Sequence, residues 1–148
     1  MLFLRPILAV VILSGLVITG CDSGGNDPSG FDADTVPLSG EYTGIHLGYL
    51  DGSGMLISFI LIQSGNSLTG NGKVLVNAGI IGSYYEYPIL IVGSRARARI
   101  RLRLESGSRI GSYDGVISEF FGSGRPRIDG LLKWPGQKSD SLWVWLRE

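Results

Sequence analysis

His46 is the only histidine and Cys21 the only cysteine among 148 residues, so few reactions are open to this chain. A serine triad would have to run through His46. Its neighbours alternate, with Tyr42, Gly44 and His46 on one side of a strand and Ile45, Leu47 and Tyr49 on the other. That places His46 on a solvent side or an edge. One imidazole excludes a histidine-rich metal site, and no thiol remains for a zinc set if Cys21 is used elsewhere. The carboxylates are scattered, and no two read as an acid–base couple. Glycine-rich runs lie between strand-like segments with no helix after them, so they form no phosphate-cradling loop. No catalytic residue, metal ligand or cofactor is assigned, and the chain reads as a non-enzymatic protein.

Two patterned segments could bind instead. In the first, Arg95, Arg97, Arg99, Arg101 and Arg103 alternate with Ala96, Ala98, Ile100 and Leu102. On one strand the arginines would share a face, and their forks fit phosphate or carboxylate oxygens in pairs. The alternative is a solvated outer face, with arginine stems over the sheet and heads paired across strands. The second segment carries Trp143 and Trp145 opposite Leu142, Val144 and Leu146. Facing outward, the two indoles would stack on sugar rings or a partner. Facing inward, they would plug the core.

The elements that position these residues are strands. No stretch holds a helical period, whereas short alternating runs recur between Gly, Ser, Asn and Pro. Strands are expected near 41–49, 54–63, 68–77, 84–92, 95–105, 109–121, 126–134 and 141–147. The turns between them include Gly93-Ser94, Ser106-Gly107-Ser108 and Gly122-Ser123-Gly124. Short connections make neighbours antiparallel, giving an all-β up-and-down meander of about eight strands. Tyr42-Thr43-Gly44, Leu68-Thr69-Gly70, Tyr113-Asp114-Gly115 and Ile128-Asp129-Gly130 repeat a bulky–polar–glycine pattern. A concave-face glycine lets a strand bend, as a small closed or nearly closed barrel requires. A two-sheet sandwich is the alternative. The meander resembles the lipocalin-like small barrels of exported bacterial lipoproteins. Pro88 and the poor alternation of 78–88 mark where a seam would fall.

With turns at Gly93-Ser94 and at 106–108, Glu119 faces Arg95, and Glu86 and Tyr113 face Arg101. Two acids then serve five arginines, a local excess of about +3. Ala96 and Ala98 on the core face would leave a cavity at the Arg95 end.

The chain begins with Arg5 ahead of an apolar run from Ile7 to Leu13, continued by Leu16, Val17 and Ile18, a secretory signal pattern. It is shorter than the ~20 apolar residues of a membrane span. The segment ends Ile18-Thr19-Gly20-Cys21. This resembles the lipobox of bacterial lipoproteins. The resemblance implies cleavage before Cys21 and fatty acylation there, so residues 1–20 are lost. It also implies an exported chain on a bacterial membrane, the outer membrane if the cell is Gram-negative, with its domain in the periplasm or at the cell surface. Residues 22–38, with four aspartates, two prolines and three glycines, read as a flexible linker to a domain at 39–148.

The full chain has no formal net charge, and without Arg5 it carries −1, so nothing draws it as a whole to nucleic acid. Two functions remain open for this expected monomer. One is a binding or interaction module for a small apolar ligand or a protein partner. The other is a structural envelope protein that meets anionic lipid or polysaccharide through its arginine strand.

Overall fold

The computed structural model describes residues 30–45, 54–79 and 83–147. Cys21, His46 and the signal segment lie outside the described residues. Eight strands follow in order: β1 (Gly40–Ile45), β2 (Met55–Ser64), β3 (Ser67–Asn77), β4 (Tyr84–Ala96), β5 (Arg99–Ser106), β6 (Arg109–Glu119), β7 (Pro126–Lys133) and β8 (Asp140–Leu146). Each pairs antiparallel with the next, and β8 pairs with β1 to close the barrel. The all-β meander expected from alternation and turns is therefore present, as a closed barrel and not a sandwich.

Closure needs strands that bend and an interior that fills. Tyr42 stacks on Phe59 with ring centroids 5.5 Å apart. Tyr113 lies over Gly130, where an added Cβ would sit 2.6 Å from the phenol ring. The glycine thus makes room for the largest side chains of the core. The Tyr113 hydroxyl stands 2.9 Å from Ile128 O and 3.1 Å from Leu142 O, so its one proton is shared between β7 and β8. Burial pushes the Tyr42 and Tyr113 hydroxyls well above the ordinary phenol range. Met55, Ile57, Leu61, Leu68, Leu102, Leu104 and Ile128 complete a packed interior.

Pro88 continues the β3–β4 ladder opposite Lys73, while β4 meets β5 only from Leu90 onward. The proline's missing donor therefore falls where β4 has lost its second neighbour, as a tolerated strand proline should. Tyr87, Trp134 and Arg109 cover that gap: the two rings are 5.5 Å apart and the guanidinium is 4.7 Å from the tyrosine.

At the lower end of the barrel β1 begins, β8 ends and the turns β2–β3, β4–β5 and β6–β7 lie. Residues 31–38 close this end. Leu38 is fully buried, and Phe31, Ala33 and Val36 pack against the core. Asp32 holds the bend, since its carboxylate accepts from Thr35 Oγ1 at 2.8 Å and from the Asp34 N–H at 2.9 Å. Those bonds, helped by the charge of Arg95, hold its carboxyl below the ordinary range. The stretch expected to be linker therefore includes a strap that belongs to the barrel. Its apolar positions are too few to show a period, so composition alone hid it.

Candidate functional site

The five arginines do not form one face. The β4–β5 turn is Arg97–Ala98, and Gly93–Ser94 lies inside β4. Ala96 pairs with Arg99 across this two-residue turn, so both point outward. Odd-numbered residues consequently face inward on β4 and outward on β5. Arg95 is only 5% exposed. Arg97 occupies the turn at φ 55°, and Arg99, Arg101 and Arg103 project from the wall. Gly93 stays in the strand because Leu102 packs over it, 2.7 Å from where a Cβ would be. Ala96 points outward and Ala98 turns, so neither makes room inside. Arg95 fills that end instead.

The expected ion partners change with the register. The β5–β6 turn is the two residues Gly107–Ser108, one fewer than expected, so Arg101 faces Asp114 rather than Tyr113, and Arg99 faces Val116. Arg101 Nε donates to Asp114 Oδ1 at 3.1 Å, and Arg103 Nε donates to Glu105 Oε1 at 2.6 Å. Glu86 pairs with Lys73 at 3.1 Å rather than with Arg101. Glu119 accepts from Gly124 N at 2.6 Å rather than serving Arg95. Arg99 has Ala96 and Val116 as its cross-strand neighbours and makes no ion pair among the described residues.

Arg99 and Arg101 border a groove of about 410 Å³ on the outer wall, across β4 to β7. Ala96 and Val116 give it an apolar floor, with Ser94, Asp114 and Asp129 at its edges. Asp129 Oδ2 accepts from Ser118 Oγ at 2.8 Å and Arg127 Nη2 at 2.9 Å. Its Oδ1 is buried and has no partner among the described residues. The groove thus offers the Arg99 fork, the Arg101 fork held at Nε by Asp114, and an apolar floor. A second outer groove, of about 300 Å³, crosses β1 to β4 beside the Lys73–Glu86 pair.

Both tryptophans of β8 point outward, while Leu142 and Val144 fill the core. Trp143 is 48% exposed, with the Arg127 guanidinium 5.0 Å from its ring. Trp145 is half-buried beneath Phe120, centroids 6.0 Å apart. Phe121 meets Phe120 edge-on at 4.8 Å. Sequence reasoning singled out the tryptophans but missed Phe120, Phe121 and Asp129. The signal for the first two was present: adjacent phenylalanines directly before a glycine-rich turn have no alternating place in a core. Asp129 becomes part of the site only through the register. Among the described residues no three His, Cys, Asp or Glu side chains gather as metal ligands.

No protein-family model matches this chain. No curated protein matches it. Among solved structures it is similar to short afifavidin in complex with biotin, with a TM-score of 0.44 and 18% identity, covering 78% of this chain and 94% of that one. Apo short afifavidin gives 0.44 and 16%, covering 77% and 99%. A low-affinity mutant of shwanavidin gives 0.43 and 16%, with the same coverage.

Proposed function

We propose that this chain is an exported, acyl-anchored, non-enzymatic binding module that takes a small hydroxylated anion at the outer groove of β4 to β7. The observation that carries this reading is Arg99, an outward guanidinium with apolar cross-strand neighbours and no ion pair among the described residues, beside Arg101 in a groove of ligand size. A carboxylate would bridge the two forks. A ring face would rest on Ala96 and Val116, and a hydroxyl would donate to the exposed Asp114 carboxylate at the groove's edge. A uronic-acid unit of an acidic polysaccharide has all three features. The packed interior supports placing the ligand on the wall rather than in the lumen. The Ile18-Thr19-Gly20-Cys21 pattern supports the anchor part of this reading.

Glucuronate, titrated against the domain and followed by amide chemical shifts, should perturb residues of β5 and β6 near Arg99. Glucose should not. Arg99→Gln should weaken glucuronate about tenfold, the equivalent of about 1.4 kcal/mol for one exposed charge-assisted contact. An unshifted spectrum at high millimolar glucuronate, or equal affinity in the variant, would overturn the reading. The anchor is tested separately: Cys21→Ser should abolish labelling by a radioactive fatty acid, and equal labelling would remove that part.

A further inference from the structure

The lower end of the barrel carries a feature that the groove does not use. Of its three turns, two are the short pairs 65–66 and 97–98, whereas the β6–β7 connection spans residues 120–125. This loop is the longest of the three, and its phenylalanines lie against Trp145 and Arg127 of the adjoining strands. It is tied to itself, since Phe120 N donates to Arg125 O at 2.9 Å and Ser123 N to Phe120 O at 3.0 Å. Phe121, its second residue, is 75% exposed and holds φ 47°. A bulky residue in the left-handed region is disfavoured, and this one recovers little burial in return. Glycine would hold the same turn without strain. The strained position presents an aromatic ring to solvent, and the barrel itself gains little from that.

The ring is also in a particular company. Arg127 lies 5.7 Å from Phe121 and 5.0 Å from Trp143, and Arg125 lies 5.9 Å from Phe120. Trp143 stands two residues up β8 from Trp145, a rise of ~7 Å. Exposed aromatic rings interleaved with guanidiniums suit a bilayer interface, where indoles sit at headgroup depth and arginines reach phosphates. The same end receives the N-terminal chain. Gly30 enters the strap there, nine residues after Cys21. Nine residues reach no more than ~32 Å in any conformation.

We propose that this lower end is a membrane-docking foot: Phe121 enters the interface of the bilayer to which Cys21 is anchored, with Trp143 and Trp145 at headgroup depth, Arg127 held between Phe121 and Trp143, and Arg97 and Arg125 beside phosphates. The proposal rests on the acyl-anchor reading. The barrel then stands on its lower end with a set orientation, and the Arg99 groove opens sideways just above the lipid.

The single thiol permits a test independent of cellular acylation. The unacylated chain 21–148 is coupled through Cys21 to a maleimide lipid in vesicles of phosphatidylcholine and phosphatidylglycerol. Lipids brominated high on their acyl chains then quench tryptophan emission. Trp143 and Trp145 should be quenched, while Trp134, 4% exposed at the far end, is the internal reference. Phe121→Gly, which relieves the φ strain, should melt no lower than the parent and lose most of the quenching. Phe121→Trp should restore it. Unquenched emission from the coupled parent, or equal quenching in Phe121→Gly, overturns the foot and leaves the anchor reading untouched. Failure of fatty-acid labelling in cells removes the anchor without altering the vesicle result.

Discussion

Arg95 is the residue whose removal most directly tests how the barrel is closed. Its Nη1 donates to Val36 O at 2.5 Å and to Gln63 Oε1 at 3.2 Å. Its Nη2 donates to Ala33 O at 3.0 Å and its Nε to Arg97 O at 2.9 Å. One guanidinium thus joins the strap, β2 and the β4–β5 turn. Arg95→Met keeps a stem of similar reach and deletes every donor. A hydrogen bond to a charged group contributes ~1.5–3 kcal/mol, so three carbonyls at the low end give about 4–5 kcal/mol. Removing the cost of burying the charge offsets about a third of that, leaving a net loss of about 3 kcal/mol. For a domain of this size that corresponds to a fall of about 12 °C in Tm.

The assay is thermal unfolding by circular dichroism on chains starting at Gly30, with limited proteolysis of the strap below the transition. Arg95→Met should melt low and be cut within 31–38 while the barrel is still folded. A chain starting at Ser39 should be at least as destabilised, because it also loses Leu38, which is fully buried. A Tm within about 3 °C of the parent for either would refute the closure argument.

The remaining predictions concern two hydroxyls and one carboxylate. Tyr42 Oη is buried without a partner among the described residues, so Tyr42→Phe should leave stability unchanged or raise it by up to about 1 kcal/mol. Tyr113 Oη is bonded, so Tyr113→Phe should cost about 1 kcal/mol. If the first variant melts below the second, the hydrogen-bond assignment is wrong. Asp32 has a lowered folded pKa, so its support of the strap is full above the ordinary value of 3.8 and is lost as pH falls through the folded pKa. Amide exchange in residues 31–38 should accordingly stay constant between pH ~7 and ~5 beyond its intrinsic rate, and lose protection toward pH ~2. Asp32→Asn should remove that acid dependence; an unchanged profile would count against it.

Fold and site were not equally legible. Alternation located all eight strands, because a half-buried strand must repeat every two residues whatever it packs against. The glycines of the repeated motif were readable for the same reason: an added Cβ would meet Val144 at Gly44, Ile128 at Gly115 and Tyr113 at Gly130. Turn chemistry was less reliable. Gly93-Ser94 looks more like a turn than Arg97-Ala98 does, yet packing against Leu102 retains Gly93 in the strand, and an arginine accepts φ 55° instead. Tertiary packing outweighed local preference there.

That single displacement governs where binding can occur. An unbroken alternation of arginines reads as one face only if no turn interrupts it. A two-residue turn keeps paired positions on the same side and so reverses the sense of odd and even. Arg95 therefore goes inside, where four acceptors meet its donors and no acid was needed from a neighbouring strand. Arg101 and Arg103 gain acids of their own. Among the described residues, Arg97 and Arg99 are left without an acid, low on the wall, with β6 and β7 between Arg99 and Trp143. Sequence spacing placed an excess of about +3 along a whole strand. The register gathers what remains of it at one end of a filled barrel, the end through which the chain leaves toward Cys21.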